Sequence, residues 1–188
     1  MKYLLATLAL VACSGRAAAP IATAKPPKLG SGPSLYDLDL PLTAQTGASI
    51  RLDVDRGHPT LVSMFYGSCT AACPALIDRI ARTLDQVPEP ARGETRVLLV
   101  SFDPGRDTPA HLAELAREHH LDAKWTLAAA SATDAQTLAA VLGIKYRVVK
   151  GGEFFHTSVV TALDGEGRTL TRAEGLGDSP SLVEALTP

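Results

Sequence analysis

An apolar run, His58-Pro59-Thr60-Leu61-Val62-Ser63-Met64-Phe65-Tyr66, leads into Gly67-Ser68-Cys69-Thr70-Ala71-Ala72-Cys73-Pro74, and a helical pattern follows. This segment constrains the fold more than any other. A short apolar stretch bounded by turn residues reads as a buried strand, so the chain must turn at the cysteines and return as a helix. Cys69 and Cys73 are four residues apart, the spacing that places two side chains on one helical face. At a helix start, amide donors and the helix dipole favour thiolate over thiol. Pro74 falls in the first turn, where a missing N–H costs little. Two such sulfurs can exchange between dithiol and disulfide, or grip a soft metal ion.

Where the chain works bears on that choice. Met1-Lys2, the apolar stretch Tyr3 to Val11 and the small residues Ala12-Cys13-Ser14 read as an export signal over residues 1–12. The apolar stretch is too short to span a bilayer, which takes about 20 residues. Leu10-Val11-Ala12-Cys13 resembles a bacterial lipobox, which implies cleavage before Cys13 and lipidation of its sulfur. The protein is then a lipoprotein of the cell envelope, facing the periplasm and anchored in the membrane through Cys13. The alternative is a plain secretory signal cut near Ala17-Ala18-Ala19, with Cys13 lost. Residues 13–33 are rich in Ala, Pro, Gly, Lys and Ser and read as a flexible tether. Some twenty such residues reach roughly 25 Å as a random coil.

Of three cysteines, Cys69 and Cys73 are then the pair left in the exported domain. In an oxidising compartment they can close as a Cys69–Cys73 disulfide, yet so small a loop adds little stability through chain entropy. A reactive purpose fits better than a structural one.

The remainder, residues 34–188, reads as one domain. It is long enough to bury a core without a disulfide scaffold. A net charge of −2 and 5% aromatic residues, with no interleaving of aromatic and basic positions, exclude a nucleic-acid partner. Leu35 to Leu42 and Ile50 to Val54 read as a two-stranded entry with Gly47 near its turn. Thr60 to Tyr66 is a buried strand, and Leu76, Ile77, Ile80, Leu84 and Val87 have the spacing of an amphipathic helix. Thr95 to Phe102 is a second buried strand. Thr108-Pro109, an N-cap followed by proline, opens a helix through Leu112 and Leu115. Trp125 to Ala129 is a third strand, and a helix through Leu138 and Leu142 is stopped by Gly143. Lys145 to Val149 and Glu153 to Leu163 read as strands joined by Gly151-Gly152. Asp164-Gly165-Glu166-Gly167 turns into Arg168 to Arg172, and Ser179-Pro180 opens a last helix. This alternation predicts an α/β fold of thioredoxin type, a central mixed sheet flanked by helices, with an N-terminal β-hairpin.

Cys69-x-x-x-Cys73-Pro74, then Asp103-Pro104-x-x-Asp107-Thr108-Pro109 after the next strand, then His156 in a late strand, together resemble the SCO/SenC family. The likeness runs from about Ser34 to the last helix. It implies a thioredoxin-fold copper protein that assists assembly of cytochrome c oxidase, with Cys69, Cys73 and His156 as copper ligands. It implies a copper-accepting oxidase subunit as partner, and a thioredoxin-like reductant for the cysteines. Two thiolates and a neutral imidazole suit Cu(I). Thiol–disulfide exchange without a required metal, with Cys69 attacking and Cys73 resolving, is the alternative chemistry.

Asp103 and Asp107 have two readings. Each can stand behind the ligands and orient them or a partner, or the pair can serve as turn and cap residues of Asp103-Pro104 and Asp107-Thr108-Pro109. His111, His119 and His120 lack the four-residue ligand spacing and read as a solvated helix face. His58 and Glu166 read as ordinary strand-start and turn residues. Two positions depart from the family. Phe155 stands before the histidine where Asp is common, and only Lys150-Gly151-Gly152-Glu153 separates strands that usually have a longer excursion between them.

Overall fold

The computed structural model describes residues 30–69, 72–149 and 154–188. In chain order its strands and helices begin with β1 (Ser31–Ser34), β2 (Pro41–Ala44), β3 (Ser49–Arg51) and β4 (Thr60–Phe65). They continue with α1 (Ala72–Gln86), α2 (Ala91–Glu94), β5 (Arg96–Ser101), α3 (Pro109–Glu118), β6 (Trp125–Ala130) and α4 (Ala132–Leu142). The last are β7 (Tyr146–Val148), β8 (Phe154–His156), β9 (Val159–Leu163), β10 (Arg168–Glu174) and α5 (Pro180–Leu186).

Continuous apolar sequence makes the centre of the sheet. Every residue of β4 and β9 is buried, as is nearly all of β5, and strands covered on both faces need such runs. The main sheet has the order β1-β10-β9-β4-β5-β6-β2-β3. β4, β5 and β6 are parallel neighbours, and the flanking pairs are antiparallel. Helices α1 and α3 form the crossovers β4–α1–β5 and β5–α3–β6. α5 packs on β9 and β10 and meets α1, while α3 and α4 lie over β6. This is the expected mixed α/β sheet flanked by helices.

Local signals set several boundaries. Thr108 caps α3 by accepting the His111 N–H, with Pro109 in the first turn. Gly143 ends α4 in the left-handed region, at φ 70°. The N-terminal hairpin is β2–β3, pairing Leu42 with Ile50 around Gly47. Asp164 Oδ1 ties the following turn by accepting the Glu166 and Arg168 N–H groups.

Three boundaries differ from the sequence expectation. β1 takes Ser31 to Ser34 into the sheet against β10, so residues 31–33 are not part of a tether. Leu35 to Asp37 forms a 3-10 turn rather than strand, because Ser34 Oγ accepts the Tyr36 N–H and closes the backbone on itself. Glu153 to Leu163 is not one strand: β8 pairs with β7 in a separate two-stranded ribbon, and β9 joins the main sheet. The break falls at Thr157–Ser158, where the Thr157 N–H goes to Lys145 and the Ser158 carbonyl accepts from Gly175. The export signal, Cys13, most of the tether and the Gly151-Gly152 turn lie outside the described residues. Among the described residues, no helix is long and apolar enough to cross a membrane.

Candidate metal centre

Parallel strands leave their side chains and following loops at one sheet edge, and that edge is built here by β4 and β5. Phe65 pairs with Ser101 in register, so Tyr66 and Phe102 leave the sheet side by side. The Tyr66 carbonyl is the hub of the turn that follows. It accepts the Cys69 N–H at 3.2 Å and the Cys73 S–H at 3.2 Å. Cys69 is half-buried and Cys73 fully buried, and they are not disulfide-bonded.

Burial is the largest of the effects that push the Cys73 thiol far above its ordinary range. The hydrogen bond to Tyr66 opposes it, while the adjacent Cys69 and the charge of Asp107 add to it. Cys73 is therefore a protonated thiol at neutral pH, against the sequence expectation of a helix start that favours thiolate. Desolvation is the largest influence at this position.

His156 closes the site from the other side. It ends β8, opposite Tyr146 in the ribbon. Its Nδ1 lies 3.3 Å from the Thr157 carbonyl, an arrangement in which Nδ1–H donates and Nε2 keeps its lone pair. That Nε2 is buried and has no hydrogen-bond partner. Desolvation holds the ring pKa below its ordinary 6.5, partly offset by the Thr157 carbonyl, so the imidazole is neutral at pH 7. One ligand atom from each of Cys69, Cys73 and His156 lies within 4.8 Å of the others. Among the described residues this is the one group of His, Cys, Asp or Glu close enough to share an ion.

An aromatic floor carries the imidazole. Its ring meets Phe102 at 5.2 Å and Tyr66 at 5.8 Å between centroids, both edge-on. Phe102 stacks on Tyr146 at 4.7 Å and meets Phe154 at 5.1 Å. The chain has only four Phe and four Tyr, and two of each gather here. Nothing in the sequence spacing marks these four rings as one cluster. Tyr66 and Phe102 each directly follow a buried parallel strand, which was the available signal.

The two acidic candidates separate. Asp107 is fully buried, and its Oδ2 accepts the Gly67 N–H at 2.8 Å and the Ser101 hydroxyl. It thus grips the turn that presents Cys69. Asp103 is engaged elsewhere: its carboxylate pairs with Arg106, whose guanidinium lies 5.8 Å from the Phe154 ring centroid, and its carbonyl accepts the Asp107 N–H. Turn chemistry describes Asp103, whereas Asp107 also ties the cysteine turn through the Gly67 amide. His111 is not a bystander on a solvated face, since its Nδ1 lies 3.1 Å from Asp107 Oδ1. His58 sits 3.3 Å from Glu94 at the other end of β4, remote in function from the thiols.

The SCO1/SenC family model matches residues 31–187, nearly the whole described chain. The chain belongs to the SCO1/SenC family. No curated protein matches the sequence. Among solved structures, Arabidopsis thaliana ScoI with copper bound is 19% identical with a TM-score of 0.68, covering 85% of this chain and 94% of its own. A SCO1/SenC family lipoprotein from Bacillus anthracis is 18% identical with a TM-score of 0.68, over 81% and 95% of the two chains. BsSco, described as a member of the Sco family of cytochrome c oxidase assembly proteins with a disulfide switch, is 18% identical with a TM-score of 0.68, over 85% and 98%. At these identities the likeness establishes the shared fold.

Proposed function

We propose that this SCO1/SenC protein binds copper through Cys69, Cys73 and His156. Its cargo goes to the binuclear copper centre of a respiratory cytochrome c oxidase, or its dithiol reduces that centre's cysteines. The observation that carries the reading is the convergence of two sulfurs and a buried, partnerless imidazole nitrogen within 4.8 Å. Two soft sulfurs and one neutral imidazole are a donor set for Cu(I). Copper in the Arabidopsis ScoI structure and the oxidase-assembly role of BsSco's family support the choice.

The chain's residues divide the work. The Thr157 carbonyl fixes the His156 tautomer, and the aromatic floor fixes its ring plane. Asp107 steadies the turn from which Cys69 projects. Cys73 must give up its proton for a metal to be held, so loading releases acid. Cys69, the more accessible sulfur, is where an acceptor's ligand arrives first. Joining the sulfurs as a disulfide releases two electrons and two protons and withdraws both thiolates, so an oxidised pair cannot hold the cargo. A thioredoxin-like reductant returns the dithiol. A lipid on Cys13 would hold the domain at the periplasmic face of the membrane, and the Bacillus anthracis lipoprotein supports the lipid anchor.

Copper uptake by the reduced chain tests the proposal. Stoichiometric Cu(I) retention against a chelator is expected. His156→Ala should weaken retention by more than the roughly 10- to 100-fold typical of losing a group that only supports a ligand. Negligible uptake, or uptake indifferent to His156, overturns it.

The unequal burial of the sulfurs favours a second reading, a thiol–disulfide oxidoreductase with no required metal. There the Cys69 thiolate attacks a partner disulfide and expels one partner thiolate. Cys73, losing its proton in the step, then attacks the Cys69 sulfur, closing the Cys69–Cys73 disulfide and expelling the second partner thiolate, so that the partner leaves fully reduced. Single-turnover assays with an oxidase copper domain separate the two: metal transfer favours the first, reduction without transfer the second.

A further inference from the structure

His111 sits where the cysteine turn is held, though it touches neither sulfur. Asp107 is buried and uses Oδ2 for the Gly67 N–H and the Ser101 hydroxyl. Its Oδ1 has no hydrogen bond, and His111 Nδ1 faces it at 3.1 Å. The same ring lies close to Gly67, where an added Cβ would stand 2.8 Å from His111 Cε1 and 3.2 Å from its Nδ1. Contacts therefore run from His111 to Asp107, to the Gly67 amide, and to the turn whose Tyr66 carbonyl takes the Cys69 N–H and the Cys73 S–H.

We propose that His111 is a positioning residue for the Cys69–Cys73 pair, acting through Asp107. A buried carboxylate oxygen left without a polar neighbour is costly. Without the imidazole, the Asp107 carboxylate would rotate toward water and draw Oδ2 away from the Gly67 amide. The turn would loosen, and the contacts that hold both thiols on one carbonyl would weaken. These are contacts of the dithiol form. Losing them disfavours dithiol against disulfide and loosens the grip on any ion held between the sulfurs.

The test uses the full chain with His111→Phe, which keeps an aromatic ring against Gly67 but removes the nitrogen that faces Asp107 Oδ1, and His111→Gln, which restores a polar neighbour. In glutathione buffer, two glutathione thiols give two electrons and two protons to the Cys69–Cys73 disulfide, yielding the dithiol and glutathione disulfide. H111F should shift that equilibrium about tenfold toward the protein disulfide, about 30 mV more negative. Copper loss to a Cu(I) chelator should quicken by about tenfold. H111Q should recover most of both effects, with thermal unfolding recorded to separate them from a general loss of stability. A purely structural histidine would lower the melting temperature and leave the potential unchanged.

Wild-type behaviour of H111F in the glutathione equilibrium, or no recovery in H111Q, overturns the proposal. Should H111F fail to fold, His111→Ala against H111Q supplies the same contrast. The copper arm rests on the copper reading above, whereas the glutathione arm does not. A wild-type chain that takes no copper would sink that reading and leave this one to be decided by the potential.

Discussion

The two halves of the candidate metal centre are built in opposite ways. The sulfur half grows out of the core: wholly buried β4 runs straight into the turn, Asp107 clamps Gly67, and Cys73 is sealed beneath the start of α1. The imidazole half hangs on the two-stranded β7–β8 ribbon, outside the main sheet, with Val148 and Phe155 exposed at 64% and 61%. Hydrogen bonds and burial fix the first half, and ring packing fixes the second. Under the proposed cargo role, such a division would let one wall yield while the other stays.

The comparison breaks most readily at Phe102, where the halves meet. Phe102→Ala removes the ring that stacks on Tyr146 and meets both Phe154 and His156, and should cost about 3–5 kcal/mol in chemical denaturation. If the ribbon depends on that floor, hydrogen exchange should rise across β7–β8 well before it rises in β4. Equal rises in both would end the distinction. Gly67→Ala attacks the other half. An added Cβ would meet Asp107 Oδ1 at 2.6 Å, so about 1–3 kcal/mol of stability should be lost. The disulfide equilibrium should move too, while ribbon exchange stays near wild type.

Proton release sharpens the contrast at a smaller scale. The Cys73 thiol is held protonated and the His156 ring neutral, so at neutral pH the sulfur half supplies the protons lost on loading. Apparent Cu(I) affinity should rise about tenfold per pH unit for each proton released. Below pH 6.5 the imidazole half should tell instead. Its folded pKa is depressed, so the unfolded chain takes up that proton first, and stability from His156 is lost as pH falls through 6.5 and below. A flat affinity profile between about pH 7 and 8 would mean that loading releases no proton, against a Cys73 held as a thiol. Smallest of all, Phe155→Ser on the exposed face of the ribbon should change stability by no more than about 0.5 kcal/mol, measured by the same denaturation. A large loss would show that this face packs against something in the folded chain.

Much of the sulfur half is legible in the sequence because its determinants are local. An apolar run, two cysteines four apart, a proline and a 3.6 period lie within some thirty consecutive residues, and Thr108-Pro109 marks the start of α3 on its own. The imidazole half is not. Glu153 to Leu163 contains no glycine or proline at the break between β8 and β9, so composition gives no sign of it. The division comes from different pairing partners: β7 for one, β4 and β10 for the other. Asp107 and His111 stand four apart, yet spacing alone cannot tell a solvated pair from a carboxylate buried under Gly67.

The sequence by itself therefore determined the α/β order, the strand–turn–helix carrying the thiols, and membership of a family whose motifs are read residue by residue. Only the tertiary structure decided that His156 Nε2 is left unpartnered beside both sulfurs, that Cys73 is held as a thiol, and that scarce aromatics form one floor. The reason is range. Periodicity and capping act over a few residues, whereas desolvation and ligand convergence depend on segments some eighty positions apart being packed against one another.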